Sequence, residues 1–299
     1  MAKIGIVISN YNGWQDTVAC LQSLQKQSFY DFEIILLDDA STNDSVNRLQ
    51  QLIPEDVIFL PQKQNIGFAA INNIGIQRAL DDGVDYVLLL NNDTVCAPDM
   101  LEKLLQFSPE GTVCCPKMLF LDSPNEIWFA GGEVDRKTMN VTHIGGHKQD
   151  GPEYDQLKQV SFITFCCVLL PRTVIERIGL LNEQLFMYCE DVDYCLRLTD
   201  AGIPLWYIPQ AKLWHKAGGS GGGAMSMYYI TRNTLTLRCR RSCKMVSFLR
   251  GLSVLIPGAV RHALTHLIGR PKGRSYGIYC GALDFLKGHT GRMPDTLLA

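Results

Sequence analysis

The chain has 299 residues, 46% hydrophobic and 19% charged, enough apolar material for one large domain or two small ones, and wholesale disorder is excluded. A formal charge of −2 excludes a general nucleic-acid binder, which needs a strongly basic surface to neutralise phosphates. Eleven cysteines, scattered and without a C-x-x-C spacing, form neither a zinc frame nor a disulfide scaffold and suit a reducing compartment.

Strand-like and helix-like segments alternate from the start. The apolar run Ile4 to Ile8 ends at Ser9-Asn10-Tyr11-Asn12-Gly13 and reads as a buried strand followed by a turn. Val18, Leu21 and Leu24 recur at helical spacing. Residues 32–37 form a second buried strand stopped by Asp38-Asp39-Ala40-Ser41, and 45–52 a helix. Residues 57–60 give a third strand, 71–80 another helix, and 86–90 a fourth strand broken by Asn91-Asn92-Asp93. Strands without polar alternation, separated by helices, predict a parallel sheet covered on both faces. In such sheets ligands bind beyond the carboxyl ends of the strands. The polar clusters at 9–12, 38–44 and 91–94 all fall at that edge.

The charge is unevenly spread. Residues 1–200 hold 14 Lys/Arg against 28 Asp/Glu, whereas residues 201–283 hold 12 Lys/Arg and no acid. An acid-free basic segment with apolar residues between its charges is drawn to an anionic membrane face, or serves a phosphate ligand, or is a solvated helical face. The run Ile4 to Ile8 is too short for an export signal. The longest apolar candidate, 246–268, is cut by Arg250, Pro257, Arg261, His262 and His266, so no span of about 20 apolar residues exists. The expected location is the cytoplasm, with peripheral contact at the inner face of the plasma membrane left open. Residues 232–287 read as amphipathic helices, with Pro257-Gly258 kinking or ending the first of these and Gly269 to Gly273 ending a second.

Neither the dinucleotide fingerprint G-x-G-x-x-G after the first strand nor a P-loop is present. The ordered motifs are of another kind: Val-Ile-Ser-Asn-Tyr-Asn-Gly at 7–13, Leu-Asp-Asp-Ala-Ser-Thr-Asn-Asp at 37–44, Asn-Ile-Gly-Phe-Ala-Ala-Ile-Asn-Asn-Ile-Gly at 65–75 and Leu-Leu-Asn-Asn-Asp-Thr at 89–94. Glu-Asp-Val-Asp-Tyr-Cys-Leu-Arg at 190–197, Trp-His-Lys-Ala-Gly-Gly-Ser at 214–220 and Arg-Asn at 232–233 follow. In this order they resemble family 2 glycosyltransferases, and most of all the rhamnosyltransferase-like branch of bacterial surface-polysaccharide synthesis.

The resemblance implies a GT-A fold: α/β, Rossmann-like, with a mostly parallel mixed sheet and a helical C-terminal extension. It implies a catalytic domain over 1–228, with a donor half of about 1–115 and an acceptor half of about 116–228, and an extension over 229–299. The implied activity is inverting transfer of a sugar from a nucleoside-diphosphate sugar (dTDP or UDP, with dTDP-rhamnose one option) to a saccharide or polyprenyl-linked acceptor, without nucleic acid. A sugar-1-phosphate nucleotidyltransferase and a non-catalytic nucleotide-sugar-binding protein are the alternatives. A homo-oligomer is left open.

By the same resemblance Asp39 would accept the imide N–H of a pyrimidine, while Asp38 reads as a turn former. Ser9, Asn10, Asn12, Asn65, Gly67 and Asn92 would line the nucleotide pocket. Asp93, with His215, would hold a divalent metal, Mg²⁺ or Mn²⁺, with the diphosphate supplying most oxygens. Asn91 stands where many relatives carry a first aspartate, so the protein itself supplies less negative charge. Asp191 is the implied general base, because inverting transfer needs one carboxylate to take the acceptor hydroxyl proton, and Glu190 would orient the acceptor or hold Asp191. Lys216, Arg232 and the glycine run at 218–223 would face diphosphate or acceptor phosphate. Asp193 and Arg197, four apart, have helical pairing distance. Phe165 stands where relatives carry glycine, a departure that bears on the acceptor pocket.

Overall fold

The computed structural model describes residues 2–109, 111–217, 223–240, 242–267 and 273–294. These form two compact units. The first comprises Met1–Val134, Val141–Leu181 and Tyr194–Ala217; the second comprises Asp135–Asn140, Asn182–Asp193 and Gly218–Ala299.

In chain order the first unit contains β1 (Ile4–Asn10), α1 (Trp14–Leu24), β2 (Phe32–Asp38), α2 (Ser45–Leu52), β3 (Ile58–Pro61), α3 (Phe68–Asp81), β4 (Tyr86–Asn91), β5 (Thr94–Cys96), α4 (Met100–Phe107) and β6 (Val113–Phe120). It continues with β7 (Ile127–Phe129), β8 (Gly132–Val134), β9 (Val141–His143), β10 (Lys158–Val160), β11 (Cys167–Pro171) and α5 (Arg172–Ile178). Helix α6 (Glu190–Asp200) begins with residues that count with the second unit, and β12 (Leu205–His215) closes the first.

The main sheet runs β10-β12-β6-β11-β4-β1-β2-β3, with β5 on β12 and β7 on β6; β8 and β9 form a separate ribbon. Strands β1 to β4 are mutually parallel where they pair, as the uninterrupted apolar runs predict. The sheet becomes mixed at β11, antiparallel to β4 and β6. Every residue of β1 except Ser9 is buried. Gly75 of α3 lets that helix settle on the sheet, since a Cβ there would meet the Val7 and Leu37 side chains. The chain goes β1-β2-β3 in one direction and returns to place β4 on the other side of β1. Sheet order therefore reverses between β1 and β4, and such reversals open a crevice at the carboxyl edge.

The second unit contains α7 (Ala224–Cys239), α8 (Lys244–Leu267) and α9 (Arg274–Lys287). Helices α7 and α9 pack backbone to backbone, because a Cβ at Gly277 or Gly281 would collide with the carbonyls of Ala224 or Tyr228. Helix α8 continues through Pro257: the proline does not end it. Gly258, the next residue, lies against Ile278 and the Tyr279 backbone of α9, and this packing carries the helix past the missing N–H. The expected stop at Gly269 to Gly273 and the glycine run at 218–223 lie mostly outside the described residues; Gly273 and Gly223 stand just before α9 and α7. No described helix is long and apolar enough to cross a membrane.

Candidate active site

Beyond the carboxyl ends of β1, β2 and β4, one web of side chains joins the three polar clusters. Asn10 is its hub, 1% exposed. Its amide donates to Asp38 Oδ2 at 2.6 Å and Ser41 Oγ at 3.3 Å. Its Oδ1 accepts from Thr17 Oγ1 at 2.9 Å, Gly13 N at 3.2 Å and Asn92 Nδ2 at 3.2 Å. The Asn92 amide also donates to Thr17 Oγ1 at 2.9 Å. Asp38 accepts from Ser41 N at 2.8 Å, the turn-forming contact expected of it. Asn12 has a left-handed φ of 60°, and its Oδ1 accepts from Thr42 N and Asn43 N, tying the first loop to the second. Ser9 stands in register with Leu37 on one side and Asn91 on the other.

Asp39 is buried beside this web. Its carboxylate accepts from Ile66 N at 2.8 Å and Gly67 N at 3.0 Å, and its own N–H donates to the Asn10 carbonyl. Gly67 has φ 86° and ψ 163°, a conformation open almost only to glycine, so the loop carrying Asn65 reaches the carboxylate with two successive N–H groups. The base-reading candidate and the 65–67 loop are thus one local assembly.

Asp93 follows the β4 turn, and antiparallel pairing of β5 with β12 sets Thr94 opposite His215. Lys216 N donates to the Asp93 carbonyl at 2.9 Å. His215 Nε2 comes to 3.2 Å from Asp93 Oδ1, yet the contact is not aligned as a hydrogen bond, and both Asp93 Oδ1 and His215 Nδ1 are buried without a hydrogen-bond partner. Trp128 covers the imidazole edge-on at 4.3 Å between ring centroids. An orphaned buried carboxylate oxygen beside an imidazole nitrogen is a donor pair that fits a divalent cation. Among the described residues no third Cys, His, Asp or Glu joins them, so other oxygens would have to complete the shell. The Lys216 ammonium lies 2.8 Å and 3.0 Å from the Asp16 carboxylate oxygens, which hold its pKa above the usual lysine value.

The second unit builds a different assembly around the start of α6. Phe186 has φ 65° and ψ −65°, and Met187 N donates to the Leu185 carbonyl at 2.8 Å. That is a γ-turn of the rare positive-φ kind. Tyr188 and Cys189 follow at φ 63° and 68°. Side-chain-bearing residues in this region cost about 1–3 kcal/mol each and persist only where their surroundings impose them. Here the imposing groups are Asn233, whose amide donates to the carbonyls of Leu185, Met187 and Tyr188 at 2.8–2.9 Å, and Arg232, which donates to Leu185 at 3.0 Å.

Arg232 is therefore placed differently from the phosphate-facing cation expected from sequence. It is 1% exposed, it also donates to the Gly291 carbonyl and Asn233 Oδ1, and it lies over the Tyr228 and Tyr229 rings. Its guanidinium is committed to backbone carbonyls within its own unit.

Glu190 and Asp191 emerge directly from the clamped segment. Glu190 is buried, its Oε2 lacks a partner, and burial, reinforced by the Asp191 carboxylate, pushes its pKa up to about 8. Asp191 is half-buried, and its Oδ1 accepts from Val192 N at 2.7 Å. Asp193 is fully buried with Oδ1 2.8 Å from the Arg240 guanidinium, while Arg197 donates to the carbonyls of Ile178 and Leu180. Phe165 packs edge-on against Tyr194 within the first unit.

Two contributors escaped the sequence reading. Thr17 looks like an ordinary α1 residue, though its place one turn past Gly13 carries it back under the loop. Asn233 had a signal in the Arg-Asn pair, but nothing in the sequence shows that its partners lie at 185–188.

With this geometry in place, the sequence model described as "Glycosyl transferase family 2" matches residues 5–179. The hexosyltransferase Agl10 of low-salt glycan biosynthesis in Haloferax volcanii is 25% identical over 67% of this chain and 62% of its own length. The dTDP-rhamnosyl transferase RfbF of Shigella flexneri is 22% identical over 73% of this chain and 70% of its own. The structure of GalNAc-T7 with UDP, GalNAc and Mn²⁺ superposes with a TM-score of 0.62 at 16% identity, covering 78% of this chain and 47% of that one; this likeness is one of fold. The chain thus spans less than two thirds of Agl10 and about half of GalNAc-T7.

Proposed function

The chain belongs to glycosyl transferase family 2, and from that premise we propose that it transfers a sugar, with inversion, from a nucleoside-diphosphate sugar to a hydroxyl of a saccharide or lipid-linked saccharide. The observation that carries this reading is the buried, unpartnered Asp93 Oδ1 with His215 Nε2 3.2 Å from it at the carboxyl edge of a GT-A sheet. A donor diphosphate brings the anionic oxygens that this pair lacks.

On this reading Asp39, presented by the 65–67 loop, accepts the base imide N–H, and Ser9, Asn12, Asn65 and Gly67 line the nucleotide pocket. Asn10 and Asn92 hold the ends of β1, β2 and β4 in place beneath it. Asp93 and His215 would hold Mg²⁺ or Mn²⁺, which when bound would supply positive charge toward the diphosphate. Asp191 takes the proton from the acceptor hydroxyl as that oxygen attacks the anomeric carbon. Glu190, with its raised pKa, carries a proton at neutral pH and donates rather than accepts. Residues 1–115 serve the donor, 116–228 the acceptor, and 229–299 form an extension. The likeness to RfbF favours dTDP-rhamnose within the donor class.

The test is a panel of dTDP-, UDP- and GDP-sugars with soluble and polyprenyl-linked saccharide acceptors, products being read by mass spectrometry and their anomeric configuration by NMR. A nucleoside diphosphate plus a new glycoside of inverted configuration is expected. Formation of a nucleoside triphosphate and sugar 1-phosphate when pyrophosphate is added to the same donors would identify a nucleotidyltransferase, and binding without turnover across the panel would identify a nucleotide-sugar-binding protein.

A further inference from the structure

Helix α8 presents two faces of opposite kind. Its buried residues are Gly251 and Gly258, which lie against Phe285, Leu286, Ile278 and Tyr279 of α9. The other side exposes Met245, Leu249, Ile256, Val260, Leu264 and Leu267, each more than half accessible and Leu267 81%. Their spacing of three, four and seven residues draws one apolar stripe along the helix. By helical phase the exposed Arg261 stands at one border of that stripe, while the exposed Lys244, the first residue of the helix, falls on the side of the buried glycines. No acidic residue occurs in α8, nor anywhere in 201–283, which holds 12 Lys/Arg.

We propose that this outward face is a docking surface for an anionic phospholipid bilayer, with α8 lying in the plane of the headgroups. A long helix with an apolar face, a flanking arginine and no acids, within a segment rich in cations, fits an interfacial helix. It is not a crossing one, since no described helix meets the requirement for a span. Charge decides the occupant. A second copy meeting this face symmetrically would set Arg261 against an equally acid-free segment, whereas an anionic leaflet is complementary to it and to the cations of the segment around it. Lysine and arginine stems also extend along apolar surface while their heads reach the phosphates.

The test is flotation of the full-length chain with vesicles of phosphatidylcholine alone or with 30% phosphatidylglycerol, at 0.1 M and 0.5 M NaCl. Co-flotation with the anionic vesicles only, weakened at high salt, is expected. L249S/I256S alters exposed positions, so it keeps the thermal midpoint while lowering vesicle affinity about tenfold or more. K244Q/R261Q loses about fivefold per charge and gives an independent reading should the first variant misfold. Equal flotation with both vesicle types overturns the proposal. So does a concentration-dependent dimer in sedimentation equilibrium that L249S/I256S abolishes, which would assign the face to a second copy. Vesicle binding requires no turnover, so its failure and that of the transferase reading are separate results.

Discussion

His215 Nε2 lies 3.2 Å from Asp93 Oδ1 without making a hydrogen bond to it. A buried carboxylate oxygen left without a donor costs free energy unless a cation or another group satisfies it. Asp93→Ala and His215→Ala should each weaken the protection that a nucleoside diphosphate plus Mn²⁺ gives against thermal unfolding. Intact protein gains about 2.7 kcal/mol at a hundredfold excess of ligand over Kd. Chelation with EDTA should reduce the intact protein to the level of the variants. Unchanged metal dependence in both variants would remove the pair from this role.

Asp191→Asn keeps the shape of the side chain and deletes its basicity. Nucleotide binding by calorimetry should be retained, while the transfer rate falls by about 10²–10⁴-fold, the usual worth of a positioned general base. Near-normal turnover would assign proton removal elsewhere.

Glu190 carries a raised pKa, about 8, because its burial and the neighbouring Asp191 carboxylate both oppose ionisation. The folded chain therefore holds a proton that the unfolded chain has lost above about pH 4.3. Stability contributed by this group is present below that value and declines as pH rises toward 8. Glu190→Gln removes the penalty: its thermal midpoint should exceed the parent's at pH 8–9 and match it near pH 4. A variant curve parallel to the parent's at every pH would contradict the assignment.

Asn233 touches neither Glu190 nor Asp191 in the described contacts; it holds the carbonyls of Leu185, Met187 and Tyr188 ahead of them. It is a positioning residue on this view. Asn233→Ala should lower kcat at least about tenfold with the donor KM little changed, since a small misplacement of a base is costly. Asn233→Gln is expected to rescue part of the loss. Equal damage to kcat and to donor KM would indicate general unfolding instead.

Asn10 offers a stability test. Asn10→Ala leaves the buried Asp38 carboxylate and the Thr17 hydroxyl each short of a partner, a loss of about 2–4 kcal/mol in urea unfolding. Asn12→Ala, which loses exposed side-chain contacts to Thr42 and Asn43, should cost less than half of that.

Much of this architecture was readable from residues alone, because long apolar runs and helical periodicity are local signals. The helix at Ser45–Leu52 has the limits that periodicity gives, and β1, β2 and β4 extend only a residue or two beyond theirs. Short elements were invisible: β5, three residues long, has no pattern of its own, yet its pairing with β12 is what carries His215 to Asp93. The apolar run at 205–208 gives no hint that β12 continues to His215, because Pro209 interrupts it. The strand absorbs the interruption in a register shift between Ile208 and Lys212. Of the two outcomes expected at Pro257, a kink or an end, the end does not occur, since the helix runs on while packed against α9. In the site, the polar clusters converge as strand order requires, but the commitment of Arg232 to carbonyls is a tertiary fact. Neither composition nor spacing distinguishes a guanidinium awaiting phosphate from one bound to the Leu185 and Gly291 backbone.

The bare glycine seam between α7 and α9 also governs when this part of the molecule comes into being. Helix α7 is translated before α9, but its tightest neighbour is α9, and its tyrosines and Arg232 wait for Tyr229 Oη to receive Met293 N–H and for the Gly291 carbonyl. At ordinary elongation speeds roughly 3–12 s separate Arg232 from Met293 on the ribosome. During that interval the nascent chain displays a half-made helical pair, so a stalled or nicked message would yield a finished sheet with an unsecured acidic loop.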